Sequence, residues 1–177
     1  MKKQISLWQL FGFAVTVLCG TLLHFLYGWS GESFWVAPFA AVNESTWEHM
    51  KILFVPMFLY ALIQSRFFRD VPGYWCIKCK GILLGLALIP VLFYTYNGAI
   101  GKSPDWLNIL IFFLAAALVF LYETKQFQKQ TVSCRFPKAA VALLCLIAVL
   151  FATCTFFPPK LGIFQDPLTG SFGLKIS

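Results

Sequence analysis

Five stretches of this chain are each apolar enough and long enough to cross a lipid bilayer, and no other feature constrains the fold as tightly. The hydrocarbon core is roughly 30 Å thick and an α-helix rises about 1.5 Å per residue, so a span needs about 20 mainly apolar residues. Windows 5–27, 47–65, 81–97, 106–122 and 139–157 qualify. Backbone groups in lipid must find their partners within the segment, so these windows are predicted as helices, not strands. Pro56 and Pro90 lie inside two of them and predict local kinks, because proline removes an intrahelical hydrogen bond. The expected fold is an all-α membrane protein, a bundle of five transmembrane helices forming one domain over residues 1–177.

Composition points the same way. With 59% hydrophobic and only 12% charged residues, the chain has too few polar side chains to cover a soluble domain. Lys2 and Lys3 give the first window a basic start, but its apolar run is longer than a signal-peptide core and lacks a small-x-small cleavage site. Leu18 before Cys19 likewise argues against a lipoprotein signal, so the segment is expected to remain as a helix.

An odd number of spans puts the termini on opposite sides, and Lys and Arg collect in the cytoplasm. With the N-terminus inside, Lys2, Lys3, Arg66, Arg69, Lys78, Lys80, Lys125, Lys129, Arg135 and Lys138 are cytoplasmic, ten of the 14 basic residues. Lys51, Lys102, Lys160 and Lys175 fall outside, together with Glu32, Glu44, Glu48, Asp105 and Asp166. The expectation is a multi-pass protein of a bacterial plasma membrane with a cytoplasmic N-terminus and an extracytoplasmic C-terminus. Basic loops facing anionic headgroups then account for the net charge of +7, and no nucleic-acid partner is implied. The six tryptophans fall near span ends, where an amphipathic ring suits the interface.

No cysteine falls in an outer loop, which excludes a secreted-type disulfide framework. Cys76 and Cys79 have the C-x-x-C spacing of zinc and redox sites. Their face offers only Cys134 as a further thiol and no histidine, so reduced interfacial cysteines are the expectation.

The informative stretch is Asn43-Glu44-Ser45-Thr46-Trp47-Glu48-His49-Met50-Lys51, which opens the second window. Ser45 and Glu48 fit a capping box, in which each side chain satisfies a free backbone N–H of the other. A cap is worth about 1 kcal/mol, and it accounts for neither His49 nor Lys51. His24 lies about one turn from the outer end of the first window, joined to the second by an outer loop, so the two histidines of the chain are expected to meet. Tyr96 and Asn97 end the third span on the same face, and Asp105 begins the fourth. Asp166 belongs to a tail, 158–177, whose Pro, Gly and aromatic residues predict turns packed against the loop before the second span. Singly, each has a structural explanation: an internal hydrogen bond for His24, a helix end for Tyr96 and Asn97, a turn for Asp166. Together they suggest a polar pocket, because ionisable groups at membrane depth are costly and usually serve a site. Residues 34–42 are too short to span and too apolar for an ordinary loop, and are expected at the interface or as a lid.

The motif from Asn43 to Lys51, with Pro158-Pro159 followed by Phe164, Asp166-Pro167 and Gly170, resembles a family of small bacterial membrane proteins carrying a domain of unknown function. Members of that family often have a histidine after the paired prolines. Lys160 stands there in this chain, which weakens a metal reading if that histidine is a ligand. The resemblance implies no activity.

Three functions fit these residues. The first is a binding or transport-type protein whose outer pocket holds a small polar or cationic ligand through His24, Glu44, Glu48, His49, Lys51, Tyr96, Asn97, Asp105 and Asp166. The second is an intramembrane hydrolase, with Glu48 as general base and a divalent metal on His24 and His49. The third is a structural or partner-binding subunit, with any oligomeric state open. No H-E-x-x-H, G-x-S-x-G or phosphate-cradling loop appears, so no enzyme class is favoured.

Overall fold

A computed structural model describes residues 2–101 and 104–174. Five helices account for most of it: α1 (Lys2–Trp29), α2 (Thr46–Gln64), α3 (Tyr74–Ile100), α4 (Asp105–Lys129) and α5 (Pro137–Phe156). A short 3-10 turn, Gly162–Phe164, follows in the tail. The described residues are all-helical, with one isolated bridge between Gln165 and Phe172 and no strand. α1, α3, α4 and α5 are long and apolar enough to cross a membrane. α2 is shorter, and it carries Glu48, His49, Lys51 and Gln64 within 19 residues. It packs against each of the other four helices, so protein rather than lipid covers most of its polar groups.

Unlike a soluble bundle, the chain keeps large apolar side chains outside as well as in its core, and some polar ones inside. Gln9, Glu48, Lys51, Gln64, Lys78 and Glu123 are buried, while Leu10, Phe11, Leu18, Leu121, Leu146 and Val149 lie exposed on the outside. In water such a surface would aggregate, whereas hydrocarbon tails match it. Helices close on one another through small residues. A Cβ at Gly12 would run into the Tyr60 ring, and one at Gly20 into the Phe112 ring.

Two helices outrun the apolar windows. α3 begins at Tyr74 rather than 81 and α4 continues to Lys129 rather than 122, so Lys78 and Glu123 sit in helical turns instead of loops. They are drawn into the bundle as a buried ion pair at 2.6 Å. Pro56 and Pro90 stay within continuous helices.

The cysteines correct an expectation. The structure joins Cys76 and Cys134 in a disulfide, with Cα atoms 5.7 Å apart, where separate cysteines are expected from the sequence. The segment after α4 packs on the start of α3, with the Val132 carbonyl against Gly73, whose φ of +72° suits glycine. That places Cys134 beside Cys76 within ordinary disulfide reach. A contact between residues 58 apart has no local signature in the sequence. Cys79 remains free and buried.

At the opposite end, the loop from α1 to α2 and the tail fold onto each other. Asn43 Nδ2 donates to the Gly173 carbonyl at 3.1 Å, and Leu174 N donates to Thr155 O. Trp47 stacks between Phe151 and Phe164, 4.6 Å from each ring centroid. In the 34–42 segment Ala37, Ala40 and Ala41 are buried, while Phe34, Trp35 and Phe39 face outward.

Candidate functional site

The start of α2 sorts its polar residues onto two sides. Ser45 caps the helix, its hydroxyl accepting from Glu48 N at 3.4 Å. The other arm of the expected capping box is replaced: Ser45 N donates to Asn43 Oδ1 at 2.9 Å, and the Glu48 carboxylate is used elsewhere. Glu48 Oε2 accepts from Val42 N at 3.0 Å and from Lys51 Nζ at 2.6 Å. The Lys51 ammonium also donates to the Ala37 carbonyl at 2.9 Å and to Thr155 Oγ1 at 2.7 Å. All three ammonium protons therefore have oxygen partners. One cation ties α2, the preceding loop and α5 together, which is the arrangement that makes a buried charge tolerable.

His49 points to the other side. Its Nδ1 stands 2.9 Å from the Ser45 carbonyl, which can only accept, so this nitrogen carries a proton and, in the neutral ring, Nε2 is the one with the lone pair. Nε2 lies 3.6 Å from Glu44 Oε2. His24 Nε2, from α1, lies 3.7 Å from Glu44 Oε1, and the two imidazole centroids are 5.3 Å apart. One potential ligand atom from each of His24, Glu44 and His49 falls within 4.8 Å of the others. His24 Nδ1 is buried with no hydrogen-bond partner. Glycine at position 20, one turn before His24, lets Phe112 of α4 approach and wall the site.

These three residues line a cleft of about 560 Å³, with further walls from Gly20, Thr21, Ile52, Asn108 and Phe112. A smaller cleft of about 80 Å³ adjoins it, sharing Glu44 and His49 and reaching Asn97 and Pro167. Leu168 from the tail borders both.

The other sequence candidates separate from this cluster. Glu48 and Lys51 line neither cleft and are fully engaged in the staple. Asn97 reaches the small cleft, and its Nδ2 donates to Phe93 O at 2.8 Å. Tyr96 lines neither cleft. Asp166 shapes a turn, its carboxylate accepting from Leu168 N and Thr169 Oγ1, each at 2.8 Å. Asp105 opens α4, but its side chain lies outside the described residues. Lys160 is exposed and borders neither cleft. Sequence reasoning passed over Gln9, Gln64, Lys78 and Glu123. The signal available was the presence of charges and amides at the margins of apolar windows, where they read as loop residues.

The fold and site define a membrane-type helical protein with a histidine–carboxylate cluster in a cleft at one end. The chain belongs to a family of unknown function, DUF6512, whose model matches residues 1–174. No curated protein and no solved structure matches it.

Proposed function

We propose that this is a multi-pass protein of a bacterial plasma membrane that binds a divalent transition-metal cation in an outward-facing cleft, in a binding or transport-type role. Five spans with a cytoplasmic N-terminus complete the reading, α2 crossing as the protein-covered central helix. The observation that carries the proposal is the convergence of His24, Glu44 and His49 at the cleft. Two donors each about 2.0–2.1 Å from a tetrahedral ion stand roughly 3.3 Å apart. Each histidine lies within a few tenths of an ångström of that spacing from one Glu44 oxygen, at 3.6 and 3.7 Å, and an ion would draw the three ligand atoms together from within 4.8 Å. Imidazole and carboxylate together suit zinc and its first-row neighbours, and the Ser45 carbonyl orients His49 as outer-shell acceptors orient metal-bound histidines. Three protein ligands leave a position open toward the cleft for water or a second ligand.

The hydrolase reading gains less support, because Glu48 holds Lys51 and Val42 rather than facing the cluster. The proposal is tested by titrating Zn²⁺ or Co²⁺ into purified protein in detergent. One equivalent should bind, and His24→Ala or His49→Ala should weaken it by at least about tenfold, the lower end of what even outer-shell changes cost. Wild-type affinity in the double His24→Ala, His49→Ala variant would overturn it.

A further inference from the structure

The opposite half of the bundle contains a second polar layer, independent of the cleft. Its height can be read from its neighbours. Above it, Gly12 of α1 meets the rings of Tyr60 of α2 and Phe120 of α4. Below it, Ile5, Phe68, Tyr74, Ile77 and Phe127 form one apolar cluster. On α1, Gln9 falls between Gly12 and Ile5 at helical spacing, and Gln64, the last residue of α2, lies one turn past Tyr60, its carbonyl accepting from Phe68 N at 3.1 Å. On α4, Glu123 falls between Phe120 and Phe127. Lys78 of α3 places its ammonium 5.4 Å from the Tyr60 and Phe120 ring centroids and 5.7 Å from that of Phe127, bracketing the same level. Four helices thus each contribute one polar side chain to one layer, and none is more than 1% exposed.

Among the described residues, the two buried ammonium groups differ in a telling way. Lys51 donates to three oxygens. Lys78 has Glu123 Oε2 at 2.6 Å, and aromatic faces take the place of further oxygens. Around that pair, Glu123 Oε1, Gln9 Oε1, Gln9 Nε2 and Gln64 Nε2 are buried without a hydrogen-bond partner. Four of the seven such atoms among the described residues belong to this layer, and each calls for an explanation. Together they offer two acceptor oxygens and two donor amide nitrogens. Water both donates and accepts, and buried water characteristically binds where otherwise unsatisfied polar groups converge.

We propose that Gln9, Gln64, Lys78 and Glu123 form an internal water-binding site within the membrane bundle, and that this water keeps the Lys78–Glu123 pair in proton exchange with solvent. Ionisable residues at such depth, paired and facing the bundle interior, are the usual makings of a functional intramembrane site.

The test is magnetisation transfer from water to the side-chain amides of Gln9 and Gln64 in ¹⁵N-glutamine-labelled wild-type protein in lipid nanodiscs. Both amides should show rapid transfer despite their burial. Absence of transfer at either one overturns the site. In a second arm, hydrogen–deuterium exchange at Lys78 Nζ should slow at least tenfold when Gln9→Leu and Gln64→Leu are combined. An unchanged rate in the folded variant would overturn the link between water and ion pair. The wild-type arm decides the matter if that variant does not fold, and neither arm depends on metal at the cleft.

Discussion

Glu44 and Glu48 stand one helical turn apart in sequence and do opposite work. Lys51→Met should destabilise the protein by about 3–5 kcal/mol, because it strands the Glu48 carboxylate in a buried, desolvated position. Pairing it with Glu48→Leu should recover part of that loss, since removing both charges also removes their desolvation cost. Denaturant unfolding in detergent measures both, and equal or greater loss in the double variant would show that the bonds to Val42, Ala37 and Thr155 outweigh the relieved cost of burying charge. Glu48→Gln should leave metal affinity unchanged, whereas Glu44→Gln should lower it. Only part of this was legible beforehand. Two spans joined by one loop bring His24 and His49 to one level, a consequence of helix geometry alone. That Glu44 rather than Glu48 faces the histidines depends on the backbone before the Ser45 cap, where no periodicity operates.

At the scale of helices, α1 is held by close approach at its glycines as well as by polar contacts such as Tyr60 Oη to the Trp8 carbonyl and Gln128 Nε2 to Ser6 Oγ. Gly12→Val should destabilise by about 1–3 kcal/mol, the usual cost of forcing extra atoms into a packed core, because the new side chain meets the Tyr60 and Phe120 rings. Gly28→Ala is the control, with open space around its Cβ position. Equal melting temperatures for the two variants would mean that α1 packs less tightly than the structure has it. The existence of the helices follows from apolar length, because lipid leaves a lone segment no other way to satisfy its backbone. Their ends do not follow so simply. Lys78 and Glu123 look like loop residues taken one at a time, and become helix-interior residues only because each neutralises the other across α3 and α4. A pairing 45 residues apart is invisible to any local window.

For the whole molecule, charge and thiol chemistry pull the orientation in opposite directions. Two lysines of the sequence-level count, Lys78 and Lys51, are now known to be buried ion-pair partners. Removing one from each side leaves nine basic residues expected inside and three expected outside, so the asymmetry survives. The disulfide between Cys76 and Cys134 lies at the basic end, and disulfides persist in oxidising compartments while the cytosol keeps thiols reduced. Charge acts during insertion and fixes orientation, whereas a thiol pair held within reach closes whenever an oxidant is present. We therefore expect the basic end to face the cytoplasm, with Cys76 and Cys134 reduced in growing cells and bonded after oxidation. Alkylation of intact cells checks this: a membrane-permeant maleimide should label the peptides containing both cysteines, and an impermeant one should label neither. If the two residues are instead found bonded in rapidly acid-quenched cells, the molecule is inverted. The His24–Glu44–His49 cleft would then open to the cytoplasm and draw its cation from inside the cell.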